Sequence, residues 1–347
     1  MKKWIGRIAL GLAAIGLLIA ITGGAYEAVG RRDAAREFPV PGRLVDIGGR
    51  RIQLDCRGTG SPTVVFEAGL DMGGSLSWYG VHDSIAKTTR ACAYSRAGIM
   101  WSDPVSGAQS GKGIAYDLHS ALDKSGERPP YVLVGHSLGG PYTMIYTKYF
   151  GPEVAGLVFV DASHPDQVAR RKSLTSWTLG DATKSLRLPA RLSPLGLVRK
   201  FAAADSAPPE PAYAVRATAA YTSTSLAAYL KEIDAFDQTL AEAGTLRQLG
   251  DRPLFVLTAT KPLAAEDRAS MKMTDAQAIE YEARWVQMQN DEASWSSRSQ
   301  HQLVSESGHY IQFEKPAVVI AAVRSVIDSV RKDPIFTKAS LGGAIAH

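Results

Sequence analysis

The chain has 347 residues, of which 45% are hydrophobic, 21% are charged and 32 are Gly. This composition is typical of a globular protein and excludes a collagen-like chain, a disulfide scaffold and a wholly disordered chain. The 39 Lys and Arg exceed the 34 Asp and Glu by five, and this surplus is spread along the sequence. A nucleic-acid partner is therefore not expected, because nucleic-acid-binding proteins concentrate their positive charge on one face.

An apolar segment lies near the N-terminus. The nineteen residues from Ile8 to Tyr26 include no charged side chain, and Arg7 precedes them. At about 1.5 Å per residue such a helix spans roughly 28 Å, which matches the hydrocarbon core of a bilayer. We therefore expect residues 1–30 to form a membrane anchor, followed by a linker at residues 31–42. The alternative is a cleaved signal peptide and a secreted protein, with the small residues Gly23-Gly24-Ala25 as the cleavage site.

The rest of the chain alternates apolar runs with helical stretches, a pattern typical of a mostly parallel sheet flanked by helices. The pattern predicts a hairpin at 42–56, strands at 63–66, 91–94, 131–134 and 157–160, and helices at 78–87, 114–124 and 141–150. Residues 163–251 combine helical pattern with several prolines and no convincing strand, which indicates a helical cap inserted between core segments 43–162 and 252–333. The second segment carries strands at 254–257 and 301–304, helices at 280–290 and 317–331, and a tail at 334–347.

One short motif joins a predicted strand to a predicted helix. It reads Gly135-His136-Ser137-Leu138-Gly139-Gly140 and follows the apolar run that ends at Val134. An abrupt turn from strand to helix strains the serine backbone, and glycines two residues away on either side avoid a clash. The serine oxygen then stands at a helix N-terminus, where the peptide dipoles favour negative charge. This pattern predicts that Ser137 is a nucleophile.

With this motif and this order of elements, the chain resembles the α/β-hydrolase superfamily over residues 43–331. The resemblance implies an eight-stranded, mostly parallel sheet with the cap inserted after strand 6. It also implies an oxyanion hole formed by the backbone amides of Leu70 and Leu138. Leu70 ends the sequence Glu67-Ala68-Gly69-Leu70, which lies where the family carries a His-Gly-X element and has Ala68 in place of the histidine.

The resemblance also assigns a base and an acid. The family places its catalytic histidine after the last strand, where His309 lies, and His164 is the one awkward rival. Most members carry the acid soon after strand 7, where Glu266 and Asp267 are the first carboxylates. Asp161 instead follows strand 6 directly, as in a group of bacterial carboxylesterases that this chain resembles. We expect Asp161 to be the acid, with Asp267 as the alternative and Glu266 as a weaker third.

The reaction implied is acyl transfer through an acyl enzyme, which requires neither a metal nor an organic cofactor. We predict a membrane-tethered serine hydrolase, most specifically a carboxylesterase that acts on modest, uncharged esters. An amidase, a peptidase or a lipase would share the same triad. The non-enzyme alternative is a catalytically silent α/β-hydrolase scaffold used for binding.

The two cysteines, Cys56 and Cys92, fall on strands that are neighbours in this fold. The resemblance therefore implies a disulfide between them, and two small buried hydrophobic residues are the alternative. A disulfide would place the catalytic domain on the extracytoplasmic side of the membrane. The basic residues of the cap either form a solvated face or contact anionic lipid headgroups. These are Arg170, Arg171, Lys172, Lys184, Arg187, Arg191, Arg199 and Lys200.

Overall fold

The computed structural model describes residues 2–202 and 211–333, so the predicted tail at 334–347 and residues 203–210 of the predicted cap lie outside the described residues. Within the described residues, eight strands form one sheet in the order β1-β2-β4-β3-β5-β6-β7-β8. They are β1 (Arg43–Asp46), β2 (Arg51–Arg57), β3 (Thr63–Glu67), β4 (Ala91–Ser95), β5 (Tyr131–His136), β6 (Val154–Val160), β7 (Leu254–Ala259) and β8 (Ser299–Val304). β2 runs antiparallel to β1 and β4, and every other pair of neighbouring strands is parallel. The predicted eight-stranded, mostly parallel sheet is therefore confirmed.

Helices cover both faces of this sheet and fill the segment between β6 and β7. They are α1 (Lys2–Glu37), α2 (Tyr79–Ala86), α3 (Gly111–Ser125), α4 (Gly139–Phe150), α5 (Gln167–Arg171), α6 (Leu179–Thr183), α7 (Arg187–Leu192), α8 (Leu197–Phe201), α9 (Ala212–Asp234), α10 (Phe236–Ala243), α11 (Ala265–Ser270), α12 (Asp275–Ala293), α13 (Ile311–Glu314) and α14 (Pro316–Arg331). Short 3-10 turns span Gly74–Trp78, Gly151–Glu153, Lys184–Leu186 and Ser193–Leu195.

The central strands are apolar along their whole length because both of their faces are covered. Val132 and Val134 of β5 pack on one side of the sheet in a cluster that includes residues of α14. Leu133 points to the other side and joins a cluster that includes residues of α3 and α4. Strands that are buried on both faces read as continuous hydrophobic runs rather than as alternating ones.

The first helix is longer than the predicted anchor and continues through residues 31–37 of the predicted linker at 31–42. Helix α1 continues through Arg31 to Glu37, and Ala34 and Phe38 at its end are buried. The helix ends at Glu37, so Phe38 lies outside it, as expected because the residue that precedes a proline is disfavoured in the helical conformation. The apolar part of α1 has a mean hydropathy of 2.2 and no part of it is buried by the rest of the protein. It is long enough to cross a membrane, although signal sequences share these properties.

The inserted segment, residues 163–251, is here called the cap region. Its described residues are mostly helical and include no strand of the sheet. The side chain of Leu138 lies in a cluster with Leu240 of α10, while Leu70 also contacts a cluster formed by residues of α9. The cap region therefore packs directly on the two loops that the sequence analysis assigned to the oxyanion hole.

The antiparallel pairing of β2 with β4 sets Cys56 opposite Cys92. The two residues form a disulfide, and Cys92 is fully buried in the core. The bond therefore ties the outer part of the sheet to its centre.

Replacing both cysteines by alanine should lower the free energy of unfolding, because the crosslink restricts the unfolded chain. For a sequence separation of 36 residues, the chain-entropy estimate is about 4 kcal/mol. Thermal unfolding of the purified protein with and without a reductant is the measurement. The reductant should lower the unfolding temperature of the wild type and leave Cys56→Ala/Cys92→Ala unchanged. Equal insensitivity of the two proteins would contradict the disulfide.

Candidate active site

Ser137 stands in the turn between β5 and α4 in a strained backbone conformation. Its φ is +52°, in the left-handed region that residues other than glycine rarely adopt. A Cβ on Gly135 would lie 2.5 Å from the carbonyl oxygen of Gly139, and one on Gly139 would lie 2.4 Å from the carbonyl oxygen of Glu67. Both glycines are therefore required for the turn to close against the end of β3.

His309 and Asp161 meet at the same edge of the sheet. His309 lies between β8 and α13, and its Nδ1 is 2.6 Å from Oδ2 of Asp161. Asp161 follows β6 directly and is buried, while the His309 side chain is 41% exposed. The second carboxylate oxygen, Oδ1, accepts hydrogen bonds from the Ala259 amide at 2.9 Å and from Nε1 of Trp285 at 2.8 Å. These two donors orient the carboxylate so that its other oxygen faces the imidazole.

The alternative acids lie elsewhere. Asp267 and Glu266 are exposed on α11, and the carboxylate that contacts His309 is that of Asp161. His164, the rival base, is buried and has other partners: Nε2 lies 2.9 Å from Asp291, and Nδ1 accepts a hydrogen bond from the Asp166 amide at 3.0 Å. The structure therefore brings His309 and Asp161 together and separates the other candidates from them.

The cluster of His164, Asp166 and Asp291 has three potential metal-ligand atoms within 4.8 Å of one another. Both carboxylates already pair with cations, because Arg247 contacts Asp166 at 2.6 Å and Arg170 contacts Asp291 at 3.2 Å. Two arginines at this distance balance the acidic charge that a metal ion would require. The cluster is best explained as an ion-pair network between the cap region and α12.

His136 supports the backbone of His309. Nε2 of His136 lies 2.9 Å from the carbonyl oxygen of His309, so the ring donates its Nε2–H to that oxygen. Burial holds the pKa of His136 well below its usual range, and the nearby His309 lowers it further. A neutral His136 adds no positive charge beside the imidazole that would have to become protonated.

The loop after β3 reaches Ser137 through Gly69. A Cβ on Gly69 would lie 2.9 Å from Nδ1 of His136 and 3.0 Å from Cβ of Ser137. Only a glycine permits this approach, which brings the Gly69–Leu70 peptide next to the serine. The amide of Leu138 lies in the same turn as Ser137, directly before α4.

The sequence matches that of the alpha/beta hydrolase family over residues 23–323. The chain belongs to this family. It is 25% identical over 171 residues to the uncharacterized protein YbdG of Bacillus subtilis, covering 49% of this chain and 53% of YbdG. The chain spans 18–53% of the length of the curated relatives it matches.

Solved structures share the fold of this alpha/beta hydrolase at low sequence identity. A thermophilic esterase from Thermogutta terrifontis superposes with a TM-score of 0.56 at 17% identity, over 83% of this chain and 97% of the esterase. The epoxide hydrolase CorEH superposes with a TM-score of 0.56 at 15% identity, over 83% of this chain and 98% of CorEH. At these identities the likeness extends to the fold alone.

Beneath the site of this alpha/beta hydrolase lies a buried ion cluster centred on Arg96, which is 3% exposed. Arg96 pairs with Glu67 of β3 at 2.9 Å and with both carboxylate oxygens of Glu232 on α9, also at 2.9 Å. Tyr94 donates its hydroxyl to Glu67 at 2.5 Å, and Gln109 donates to Glu232 at 3.1 Å. Burial raises the pKa of both glutamates, and the charge of Arg96 opposes that rise.

The same guanidinium holds the loop that carries Leu70. It donates to the carbonyl oxygen of Ala68 at 2.8 Å and to that of Gly69 at 2.6 Å. The carbonyl and the N–H of a trans peptide point in opposite directions, so binding the Gly69 carbonyl turns the Leu70 N–H away from Arg96. Arg96 therefore determines the direction of the amide on which the predicted oxyanion hole depends.

A mostly apolar cavity of about 230 Å³ lies between α9 and the loops that follow β3 and β8. Ala214, Val215 and Thr218 on one face of α9 line it, together with Met72 and Tyr310. Met72 follows Leu70 by two residues, and Tyr310 follows His309 directly. The cavity thus lies under α9 of the cap region, against residues that are close in sequence to His309 and Leu70; Ser137 and His309 themselves are not among its lining residues.

Three partners of the site were missed by the sequence analysis. Trp285 lies on a helix that the pattern predicted, but nothing in its neighbourhood indicated a contact with a strand-end aspartate. Arg96 and Glu232 are 136 residues apart in sequence. The sequence does not distinguish a buried arginine or glutamate from an exposed one, so these contacts can be identified only from the fold.

Glu292 is a buried acid close to Asp161. It lies on α12, is 0% exposed, and neither of its carboxylate oxygens has a hydrogen-bond partner among the described residues. Burial raises its pKa well above the usual range, and the charges of Asp161 and Asp291 add to the rise. The folded protein therefore favours the protonated carboxyl at this position.

Glu292→Gln should stabilise the protein relative to the wild type increasingly as the pH rises from about 5 to about 8. Because the pKa of Glu292 is raised in the folded protein, its favourable contribution to the free energy of unfolding is fully present below the unfolded pKa of about 4.3. That contribution is lost as the pH rises through the pKa of the folded state. Glutamine resembles the protonated acid and does not titrate. Urea unfolding of both proteins across this range is the measurement.

The control is Glu266→Gln, which removes an exposed carboxylate on α11. The difference in the free energy of unfolding between Glu266→Gln and the wild type should change little with pH. A Glu292→Gln difference that stays constant across the same range would contradict the assignment of a protonated Glu292.

Proposed function

We propose that this alpha/beta hydrolase is a serine hydrolase that cleaves carboxylic esters through an acyl enzyme. The observation that carries the proposal is the 2.6 Å contact between His309 Nδ1 and Asp161 Oδ2, at the sheet edge where Ser137 occupies a strained turn with φ +52°. His309 and Asp161 come from distant parts of the sequence and meet beside the turn that carries Ser137, which supports the combination of a serine nucleophile, a base and an orienting acid.

In the proposed reaction, Ser137 attacks the acyl carbon and transfers its proton to Nε2 of His309. Asp161 holds the other imidazole nitrogen in the tautomer that permits this transfer and stabilises the imidazolium that forms. The Leu70 and Leu138 amides hold the oxyanion, and protonated His309 then donates its proton to the departing alkoxide. Water repeats the sequence with His309 as the base and releases the acid from Ser137.

The nucleophile and the cavity narrow the substrate class. A serine at the elbow supports acyl transfer, whereas epoxide-opening and dehalogenating members of the fold carry an aspartate there. The cavity of about 230 Å³ is mostly apolar and lies below the roughly 300–1,000 Å³ of sites for drug-sized ligands. It supports a preference for modest, uncharged esters. Amidase, peptidase and lipase activities use the same triad and remain the alternatives.

We also propose that α1 anchors the enzyme in a membrane and that the catalytic domain faces the extracytoplasmic side. The apolar, unburied part of α1 supports the anchor. The disulfide between Cys56 and Cys92 supports an oxidising compartment. The alternative is secretion after cleavage of the segment.

A fluorophosphonate probe should label the detergent-solubilised wild type, and Ser137→Ala should abolish the label, because the probe reacts with an activated serine. Gel fluorescence and peptide mapping of the labelled residue are the measurements. Ser163→Ala is the matched control: its amide bonds the Ser137 carbonyl at 2.8 Å, and its label should match that of the wild type. An unlabelled wild type, or a Ser137→Ala protein that labels equally, would refute a serine hydrolase.

Asp161→Asn should lower kcat for a p-nitrophenyl ester by about 10³- to 10⁴-fold. The Ala259 amide and the Trp285 indole both donate to Oδ1, so the Asn carbonyl would occupy that place and its NH₂ would face His309. The imidazole would then carry its proton on Nε2, where it cannot accept one from serine.

Asp267→Asn is the control for the acid, since Asp267 is exposed on α11. Its kcat should stay within about twofold of the wild type. The reverse pattern, with a large loss for Asp267→Asn and little for Asp161→Asn, would transfer the role of the acid to Asp267.

A further inference from the structure

The C-terminal third of α1 docks on the cap region. A Cβ on Gly23 would lie 2.5 Å from the carbonyl oxygen of Leu195, and one on Gly196 would lie 2.5 Å from the ring of Tyr26. By contrast, Gly11 and Gly16 have no atom within 4 Å of the position of a Cβ. The helix thus stands free over its first half and contacts the cap region where its apolar stretch ends.

A buried ion pair secures this docking. Glu27 is 3% exposed and lies 2.9 Å from Nε of Arg199 on α8. Ser223 of α9 donates its hydroxyl to the same carboxylate at 2.8 Å, and Arg199 donates to Ser223 at 2.8 Å. A buried charge is stable only where its partners compensate it, and these contacts join α1 to α8 and α9.

The docking places part of the cap region at the height of a membrane surface. Trp4 and Tyr26 are both exposed and are separated by about 33 Å along the helix, close to the roughly 30 Å of a hydrocarbon core with aromatic residues at its two boundaries. The segment Ser193–Leu195 and Gly196 contact α1 beside Tyr26. They therefore lie at the boundary between lipid and water when α1 spans the bilayer.

The cap region exposes cationic and apolar side chains next to this contact. Leu188 is 64% exposed and Phe201 is 77% exposed, and the sequence from 182 to 202 contains no Asp or Glu. The exposed residues of this surface, here called the cap strip, are Lys184, Leu188, Arg191, Leu197, Lys200 and Phe201.

Most of the other basic residues of the cap region have partners within the protein, whereas Lys172 is exposed. Arg187 pairs with Asp234 at 2.6 Å, and Arg199 pairs with Glu27. Arg171 stacks on the rings of Tyr281 and Trp285. The positive charge available to an outside partner thus falls on Lys172 and on the three basic residues of the cap strip.

We propose that the cap strip binds the surface of an anionic phospholipid bilayer, with Leu188, Leu197 and Phe201 inserted among the headgroups and Lys184, Arg191 and Lys200 against the phosphates. The strip is continuous with the membrane end of α1, its charge is complementary to anionic lipid, and its exposed apolar side chains suit the interface. The proposal rests on the anchor proposed above and is independent of the esterase chemistry. It would hold the cap region and the cavity beneath it against the membrane.

Site-directed spin labelling of the full chain in vesicles of phosphatidylcholine and phosphatidylglycerol tests the proposal. The two native cysteines are joined in a disulfide, so each variant carries one reactive thiol. Leu188→Cys reports the cap strip, Leu12→Cys reports the span of α1, and Ile279→Cys reports an exposed site on α12 outside the strip. The readout is the ratio of collisions with oxygen, which partitions into lipid, to collisions with a water-soluble nickel chelate.

The ratio should be high at position 12, intermediate at position 188 and low at position 279. The collision ratio at position 188 should fall to within about twofold of that at position 279 when the cationic side chains of the cap strip are neutralised by Lys184→Gln, Arg191→Gln and Lys200→Gln. The same fall is expected when the vesicles contain phosphatidylcholine alone. The matched control neutralises Lys87, Arg128 and Lys332, which are exposed at the opposite edge of the sheet, and should leave position 188 unchanged.

The outcomes separate the proposals. A deep label at position 12 with a water-exposed label at position 188 overturns the cap strip and leaves the anchor intact. Water exposure at both positions overturns the anchor and the cap strip together. Fluorophosphonate labelling of the same samples measures the reactivity of Ser137 separately from membrane contact. A sample that fails to label would refute the proposed serine chemistry without changing the conclusion about α1 or the cap strip.

Discussion

The buried guanidinium of Arg96 is the interaction on which the arrangement of the site depends. It holds the carbonyls of Ala68 and Gly69, pairs with Glu67 at the end of β3, and reaches Glu232 on α9. One side chain therefore orients the loop beside Ser137 and attaches the cap region to the sheet. A buried charge in this position is tolerated because each of its N–H donors faces a carboxylate or a carbonyl. Removing Arg96 would leave two buried carboxylates without a positive partner.

Helix α9 contacts the Arg96 cluster, the cavity and α1. One face of α9 lines the cavity through Ala214 and Thr218, and Glu232 near its end joins the Arg96 cluster. Ser223, on a neighbouring face, contacts Glu27 of α1. The proposed anchor, the cap region and the proposed reaction centre are thus connected through a single helix. A change in how α1 sits in a membrane would act on the cavity through α9, and also through Phe38, which packs in one hydrophobic cluster with Leu76 of the cavity wall.

Where the sequence analysis succeeded, the structure depends on local patterns. The strands were recognisable because burial on both faces requires continuous apolar runs, and the turn around Ser137 because only glycines fit at 135 and 139. Where the sequence analysis was incomplete, the structure depends on contacts between residues that are distant in the sequence. The predicted linker at 31–42 is mostly helical, and its last turn is buried through Ala34 and Phe38. No pattern within the segment indicates what it packs against.

The sequence by itself determined the order of strands and helices, the strained serine turn, the position of His309 after the last strand and the apolar N-terminal segment, since each follows from local spacing or from chain order. Only the tertiary structure decided that His309 faces Asp161 and not Asp267, that Trp285 and the Ala259 amide orient that acid, and that Arg96 joins Glu67 to Glu232. The physical reason is that a carboxylate or a guanidinium looks the same in a sequence whether it is solvated or buried. Burial, and the partner that compensates its cost, exist only once distant segments have been brought together.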